Sequence, residues 1–163
     1  MGESSDAETS SLAAALAEVF GAAGLSVGVA ESLTGGMLAN ALAQAPESST
    51  WFRGGLVTYA SEVKHELLHV PPGPVVSEDA AAAMAAGIRR LLRADVAVAV
   101  TGAGGPQGQD DQPPGTVFLA LTDGRYTQVE HRYFEDDDPA EVCAKTVAEA
   151  LRLLAGYCAP AGR

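Results

Sequence analysis

The spacing of apolar residues divides the chain into alternating helices and strands. Apolar residues recur every three or four positions over 11–20, which predicts an amphipathic helix. A short apolar run predicts a strand over 25–30, and helical spacing returns over 37–45 before a proline ends it. A strand over 56–59 and a helix over 61–68 follow. The first half of the chain therefore alternates between the two kinds of element.

The second half carries clearer signals for where each element begins and ends. Ser77 stands where it caps a helix, with acidic residues in the first turn of that helix and arginines in its last. The run over 95–100 is almost wholly apolar, which is typical of a central strand covered on both faces. Two strands over 116–122 and 126–134 flank Asp123-Gly124, a hairpin signal, and a last helix runs from Pro139 to about 154.

This order of elements predicts an α/β fold, a three-layer α/β/α sandwich with a mixed sheet. With 163 residues, of which 47% are hydrophobic, the chain is long enough for one ordinary core. We expect a single domain over 10–158, preceded by a disordered tail over 1–9.

The excess of acidic residues argues against polyanionic binding partners. The chain has 21 acidic and 10 basic residues and a formal net charge of -11, so we expect no binding to nucleic acid or to an anionic membrane. An anionic ligand must be small and neutralised locally. No apolar run reaches the roughly 20 residues of a membrane span, and no signal peptide is recognisable. We therefore expect a cytoplasmic protein with Cys143 and Cys158 reduced and, given the spacing of its histidines, no bound metal.

Three polar or glycine-rich segments directly follow predicted strands. They cover 31–36, 58–64 and 101–106. Because ligands collect beyond the carboxyl ends of strands in α/β sheets, we expect these segments to converge on one crevice. The first offers two hydroxyls, a carboxylate and the backbone amides of a helix start, which suits a phosphate or an oxyanion. The last lacks both the Walker pattern and the dinucleotide fingerprint, so by itself it is a weak indication of phosphate binding.

Each candidate residue also has a purely structural interpretation. Ser32 or Thr34 is placed to cap the helix that follows it. Lys64 suits a solvated lysine paired with a glutamate; as a general base it needs a pKa lowered by roughly 3 units, which only a desolvated site provides. Ser61 and Lys64 match the Ser-x-x-Lys pattern, but the companion motifs of penicillin-recognising enzymes are missing, and Ser61 is better explained as a helix cap.

Taken in order, the motifs resemble the CinA C-terminal domain family over nearly the whole chain. The residues that carry the resemblance are Ala30-Glu31-Ser32-Leu33-Thr34-Gly35-Gly36, Trp51-Phe52-Arg53-Gly54-Gly55-Leu56-Val57-Thr58-Tyr59 with Lys64, Val76-Ser77-Glu78, Thr101-Gly102 through Gly105-Pro106, and Pro114-Gly115-Thr116-Val117. Each motif is weak alone, but five of them in this order and spacing are specific.

The resemblance implies an anticodon-binding-domain-like fold, a homodimer, and deamidation of nicotinamide mononucleotide without a metal or organic cofactor. Ser32 would then be the nucleophile, Lys64 its base or proton relay, and Tyr59 a hydrogen-bonding partner. Amides near Gly35 and Gly36 would stabilise the oxyanion. The remaining residues expected to bind the substrate are Glu31, Thr34, Arg53, Thr101, Gly102 and Gly105.

The chain departs from the family pattern where arginines are expected to hold an anionic substrate. The family reads Phe-x-Gly-Asp-Arg and then Val-Arg, whereas this chain has Phe134-Glu135-Asp136-Asp137-Asp138 and then Val142-Cys143. Each lost charged hydrogen bond costs roughly 1.5–3 kcal/mol, which Arg53 or Lys145 would have to offset. The alternative function is therefore a non-catalytic nucleotide-binding protein or one of altered specificity. No residue pattern supports a role in competence.

Overall fold

The computed structural model describes residues 2–135 and 138–158, which form one mixed sheet with helices on both faces. The elements in chain order are α1 Gly2–Ala23, β1 Val27–Glu31, α2 Met37–Ala43, α3 Ser48–Trp51, β2 Phe52–Val57, α4 Ser61–Leu68, α5 Glu78–Leu92, β3 Val96–Gly102, β4 Thr116–Thr122, β5 Thr127–Tyr133 and α6 Pro139–Cys158. The strands lie in the order β2-β1-β3-β4-β5. The α/β fold class with a mixed sheet is confirmed.

The sheet is parallel on one side and antiparallel on the other. β1 pairs in parallel with β2 and β3, while β4 runs antiparallel to β3 and forms a hairpin with β5. All seven residues of β3 are buried, as expected from its continuous apolar run, and this strand lies at the centre of the sheet. Because β1, β2 and β3 are parallel, their carboxyl ends meet at the same edge.

Two apolar clusters hold the three layers together. On one face of the sheet, α1, α2 and α6 bury residues such as Phe20, Leu42 and Leu151 against strand residues. On the other face, α4 and α5 bury Leu68, Met84 and their neighbours. None of the helices that the structure describes is long and apolar enough to cross a membrane.

The N-terminal segment corrects one sequence prediction. Residues 1–9 were expected to form a disordered tail, but α1 already begins at Gly2. The early turns of this helix lie against the rest of the molecule, since Glu8 forms an ion pair with Arg152 of α6 and Ala13 is buried. The segment has few apolar residues, which explains why hydrophobic periodicity did not reveal it.

Other differences concern the boundaries of elements. β2 begins at Phe52 rather than at 56, and α3 and the last turn of α6 were not predicted. Glycines at 54 and 55 argue against a strand by propensity. Gly55 is nevertheless required, because a Cβ there would lie 2.7 Å from Val29 Cγ2 and 3.0 Å from Ala39 Cβ. Close packing of β2 against β1 and α2 overrides propensity here.

The serine cap predicted for α5 is correct, and the one predicted for α4 is wrong. Ser77 caps α5, its side chain accepting a hydrogen bond from the Ala80 amide at 3.1 Å. Ser61 does not cap α4: the residue before the helix is Ala60, and no side chain caps this end. Ser61 is the first helical residue, because Ala60 already has the extended backbone of a capping position.

Candidate active site

Glu31 organises the turn that follows β1. Its side chain is fully buried, and its carboxylate accepts hydrogen bonds from the Thr34 hydroxyl at 2.6 Å and from the Leu38 and Ala39 amides at 2.9 Å each. These amides belong to the first turn of α2 and have no partner within the helix. Glu31 therefore satisfies the helix start, and the expectation that Ser32 or Thr34 caps α2 is wrong.

Ser32 follows Glu31 at the carboxyl edge of the sheet. The residue is 8% exposed, and its carbonyl accepts a hydrogen bond from the Gly35 amide at 3.1 Å. Gly35 and Gly36 have positive φ angles of 56° and 104°, which turn the chain sharply into α2. The Gly35 amide is therefore already bonded, whereas within the described part of the chain the amides of Leu33 and Thr34 donate to no acceptor.

Lys64 is buried, not solvated. It is 1% exposed, and its Nζ donates to the Thr58 carbonyl at 2.5 Å and to the Tyr59 carbonyl at 3.4 Å. Burial lowers the pKa of this lysine below its ordinary value, and the negative charge of Asp110 opposes that shift in part. The expected ion pair with a glutamate is not observed among the described residues, because α4 directs this side chain into the protein.

A cavity of about 620 Å³ opens at the carboxyl edge of the sheet. It is formed by the Ser32 turn, by Tyr59, by residues 102–109 and by the start of α6. We call it the candidate cavity. Four of the predicted site residues line it: Ser32, Tyr59, Gly102 and Gly105. Tyr59 is 72% exposed, so its ring forms an open wall of the candidate cavity.

Other predicted site residues do not line the candidate cavity. The buried hydroxyls of Thr34 and Thr101 are bonded inside the protein, to Glu31 and to the Val75 carbonyl respectively. Arg53 lies near the opposite end of β2, where its Nε donates to the Leu92 carbonyl at 2.6 Å. This position follows from its place as the second residue of β2. Arg53 therefore does not replace the missing arginines within this chain.

The departure from the family pattern affects the candidate cavity directly. Cys143 lines it, with its Sγ donating to the Leu33 carbonyl at 3.2 Å, and burial together with the charge of Glu31 raises the pKa of the thiol. Asp138 is exposed and accepts a hydrogen bond from the Ala140 amide at the start of α6. Asp136 and Asp137 lie outside the described residues. Lys145 lies over the Phe134 ring, 5.9 Å from its centroid.

The described side chains that line the candidate cavity are uncharged. Besides the residues named above, they include Leu33, Gln107, Gln109 and Pro139. Within the described ranges, no group of three His, Cys, Asp or Glu residues could hold a metal ion. Hydroxyls, side-chain amides, a thiol and backbone groups are therefore what the described wall offers to a ligand.

Asp110 is a residue of this region that the sequence did not reveal. Its carboxylate accepts hydrogen bonds from the Val75 and Val76 amides at 2.8 Å and 2.9 Å. The sequence places it within a long glycine-rich loop, where an aspartate is an ordinary turn residue. Only its positive φ of 51° and its distant partners distinguish it, and both need the structure.

A second cavity, of about 430 Å³, lies between α1, α2 and α6. Residues such as Asp6, Met37 and Asn40 line it. It contains none of the predicted site residues, so we assign the chemistry to the candidate cavity.

Known proteins share both the sequence pattern and this fold. The CinA C-terminal domain family matches residues 9–158. A CinA-like protein of Geobacter sulfurreducens is 44% identical over 146 residues, which cover 85% of this chain and 35% of that protein, and one of Syntrophus aciditrophicus is 43% identical over 83% of this chain and 34% of its own length. The chain thus spans about a third of the length of these curated relatives.

Solved structures give the same result over 90% or more of their length. The competence damage-inducible protein A of Klebsiella pneumoniae superposes with a TM-score of 0.89 at 35% identity, covering 94% of this chain and 98% of that one. A competence-damaged protein (CinA) superfamily protein of Escherichia coli gives a TM-score of 0.88 at 35% identity, with 91% and 90% covered. The chain belongs to the CinA C-terminal domain family.

Proposed function

We propose that this chain hydrolyses the carboxamide of nicotinamide mononucleotide, giving nicotinate mononucleotide and ammonia, with Ser32 as the nucleophile. The observation that carries the proposal is that a serine at the rim of the candidate cavity and a buried lysine whose pKa is lowered lie on adjoining segments. Thr58 joins them, because its amide and hydroxyl donate to the Glu31 carbonyl, directly before Ser32, and its carbonyl accepts from Lys64 Nζ. A serine hydroxyl is a weak nucleophile until a base removes its proton, and a desolvated lysine is a base of that kind.

The surroundings of Lys64 suit a neutral amine. A neutral amino group has two N–H bonds and one lone pair, and two carbonyl oxygens, of Thr58 and Tyr59, lie within hydrogen-bonding reach of Nζ. Donating to both leaves the lone pair available for a proton. Nζ forms no hydrogen bond with Ser32 Oγ among the described residues, so the proposed proton transfer requires the two groups to approach each other when the substrate binds. The buried carbonyls thus orient the amine, and desolvation keeps it deprotonated at lower pH than a surface lysine.

The reaction then takes two steps. Ser32 Oγ bonds to the amide carbon while its proton passes to Lys64, and the carbon–nitrogen bond breaks as that proton moves to the departing ammonia. Water then attacks the resulting ester, giving the carboxylate and restoring the Ser32 hydroxyl. The Leu33 amide, next to Ser32 in the cavity wall, supplies a donor for the oxyanion, in place of the Gly35 amide, which is bonded to the Ser32 carbonyl.

Ammonia release from nicotinamide mononucleotide by the purified protein tests the proposal. We expect Ser32→Ala to reduce the rate at least a hundredfold, because it removes the group that attacks the amide carbon. Ser61→Ala is the matched control: it removes the other serine of this region, which neither caps α4 nor lines the candidate cavity. Turnover that survives Ser32→Ala, or that falls equally in both variants, would overturn the assignment.

The uncharged wall of the candidate cavity favours a second candidate function, amide hydrolysis on a phosphate-free nucleoside. Cys143 stands where the family resemblance implies an arginine, and Arg53 lies at the far end of β2. A phosphate in this cavity would depend on backbone amides and neutral side chains, without the charge-assisted bonds that bind it most strongly.

Comparing kcat/KM for nicotinamide mononucleotide and its nucleoside separates the two candidates. A higher value for the mononucleotide supports the first, and a higher value for the nucleoside supports the second. Cys143→Arg adds the missing charge at the cavity wall. If the second candidate holds, this substitution shifts the preference toward the mononucleotide, whereas an unchanged ratio would mean that the phosphate does not approach Cys143.

A further inference from the structure

Asp110 connects two segments that both contribute to the site. It lies in the glycine-rich loop, residues 103–115, whose first part forms one wall of the candidate cavity. Asp110 Oδ2 accepts hydrogen bonds from the amides of Val75 and Val76, which lie just before α5. The Val75 carbonyl in turn accepts the Thr101 hydroxyl at 2.6 Å. The segment before α5 is thus bonded both to the end of β3, directly before the loop, and to the middle of the loop.

A tight turn directs the Asp110 carboxylate toward these amides. Asp110 and Asp111 have φ angles of 51° and 61°, and the turn is closed by hydrogen bonds between the backbones of Gln109 and Gln112 at 3.0 Å and 2.9 Å. Two consecutive positive φ angles are typical of a type I′ turn, in which aspartate, asparagine and glycine are the tolerated residues. Both aspartates can therefore be changed to asparagine without altering the backbone preference.

Asp110 and Lys64 lie in the same region, because Gln109, which precedes Asp110, and Tyr59, whose carbonyl accepts from Lys64 Nζ, both line the candidate cavity. Burial disfavours the ammonium form of this lysine, and the Asp110 carboxylate is the negative group that favours it. Glu31, at the end of β1, has its carboxylate bonded to the first turn of α2, and Tyr59 contributes its carbonyl to Nζ. The remaining titratable groups near Lys64 on its own helix are Glu62, His65 and Glu66.

We propose that Asp110 is a positioning residue, which anchors the glycine-rich loop against Val75 and Val76 and places a negative charge on the side of the candidate cavity where Lys64 is buried. The catalytic consequence rests on the proposed function, in which Lys64 takes the proton of Ser32. The anchoring of the loop and the effect of the charge on Lys64 do not depend on the proposed function. The same Asp110 carboxylate produces both effects, and different substitutions remove them separately.

Asp110→Asn and Asp111→Asn form a matched pair of variants. Asp110→Asn keeps a carbonyl oxygen for the two amides but removes the charge. Asp111→Asn removes a charge from the neighbouring residue of the same turn. Asp110→Gly removes both the charge and the acceptor and still allows the positive φ. Hydrogen exchange of the Val75 and Val76 amides should therefore accelerate in Asp110→Gly and change less in Asp110→Asn; unchanged exchange in Asp110→Gly would overturn the anchoring role.

The protonation of Lys64 can be followed directly by NMR. Lys64 and Lys145 are the two lysines of the sequence, so protein labelled at lysine Cε gives two signals, which Lys145→Arg assigns. We expect the titration midpoint of Lys64 to move to lower pH in Asp110→Asn and to move less in Asp111→Asn. Equal midpoints in these two variants would overturn the charge effect.

A catalytic readout completes the test. In Asp110→Asn, the acidic limb of the profile of kcat/KM against pH should move to lower pH by the same amount as the NMR midpoint. The reason is that Lys64 then loses its proton at lower pH. If the wild-type protein releases no ammonia, the proposed function fails while the NMR titration still decides the role of Asp110. If activity is present and its acidic limb stays fixed while the midpoint moves, the catalytic part of the inference is wrong.

Discussion

Individual side chains at the end of β1 do structural work that a motif alone does not reveal. In the sequence, the stretch from Glu31 to Gly36 suggests two hydroxyls that compete to cap a helix. In the structure a buried carboxylate satisfies the helix start, and the Thr34 hydroxyl supports that carboxylate. Ser32 therefore does not cap α2, and its side chain remains available at the cavity rim to act as a nucleophile.

Replacing Thr34 tests this arrangement. Thr34→Val preserves the shape of the side chain but removes one of the three donors to the buried Glu31 carboxylate. We expect the free energy of unfolding to fall by about 1–3 kcal/mol, as measured by urea denaturation, because the carboxylate keeps its desolvation cost and loses a donor. Thr127→Val removes an exposed hydroxyl that donates to the Thr122 hydroxyl at 3.0 Å, a bond between neutral groups, and should lower it by less than about 1 kcal/mol. Similar losses in both variants would contradict this role of Thr34.

Lys64 makes stability depend on pH. Because burial lowers its pKa, the unfolded chain binds more protons than the folded chain at pH values between the lowered pKa and the ordinary 10.5. Stability therefore rises with pH in this window. We expect the free energy of unfolding of the wild type minus that of Lys64→Met to increase with pH across this window and to level off above the ordinary 10.5.

Denaturation at a series of pH values measures this difference, and Lys145→Met is the control because Lys145 is exposed. Shared contributions from other groups cancel in the comparison. A difference that stays flat, or falls with pH, would mean that Lys64 is not desolvated in the folded protein.

Helices and strands could be predicted from the sequence where the apolar pattern is strong. They were harder to predict where packing against other parts of the fold determines their bounds. The buried β3, the β4–β5 hairpin and the capped α5 follow from their residues alone. The start of β2 was not predicted because it contains two glycines, and the early turns of α1 were not predicted because they are rich in polar residues. In the site, the convergence of strand ends was predictable from topology, whereas the burial of Lys64 and the contacts of Asp110 depend on packing.

A close helix contact gives a prediction at this scale. A Cβ at Gly87 of α5 would lie 2.3 Å from the Leu68 carbonyl oxygen at the end of α4. Alanine favours a helix over glycine by about 1 kcal/mol, but displacing a backbone carbonyl in a packed core costs roughly 1–3 kcal/mol. We therefore expect Gly87→Ala to destabilise the protein in thermal unfolding.

Gly156→Ala in α6 is the matched control, because nothing lies within 4 Å of the added Cβ. There the helix preference acts alone and should stabilise the protein slightly. If Gly87→Ala also raises the melting temperature, α4 and α5 are not as closely packed as their backbone contact indicates.

At the scale of the whole molecule, charge opposes the proposed substrate. The net charge of -11 repels an anionic ligand over distances set by the salt concentration. The described cavity wall has no cationic side chain that would attract such a ligand at short range. Nicotinamide mononucleotide is a net anion, because its phosphate outweighs the pyridinium charge. Its nucleoside keeps only the pyridinium charge and is a cation. The two ligands share the reacting carboxamide and differ in the sign of their interaction with the protein.

Ionic strength should therefore affect the two ligands in opposite directions. Raising it from about 0.01 M to 0.15 M shortens the screening length from about 30 Å to about 8 Å, which removes most of the long-range field. We expect the KM for the mononucleotide to fall and the KM for the nucleoside to rise, with kcat little changed, in steady-state ammonia-release assays. A KM for the mononucleotide that rises with salt would instead require a cationic group at the phosphate, and the uncharged wall would then not be where the phosphate binds.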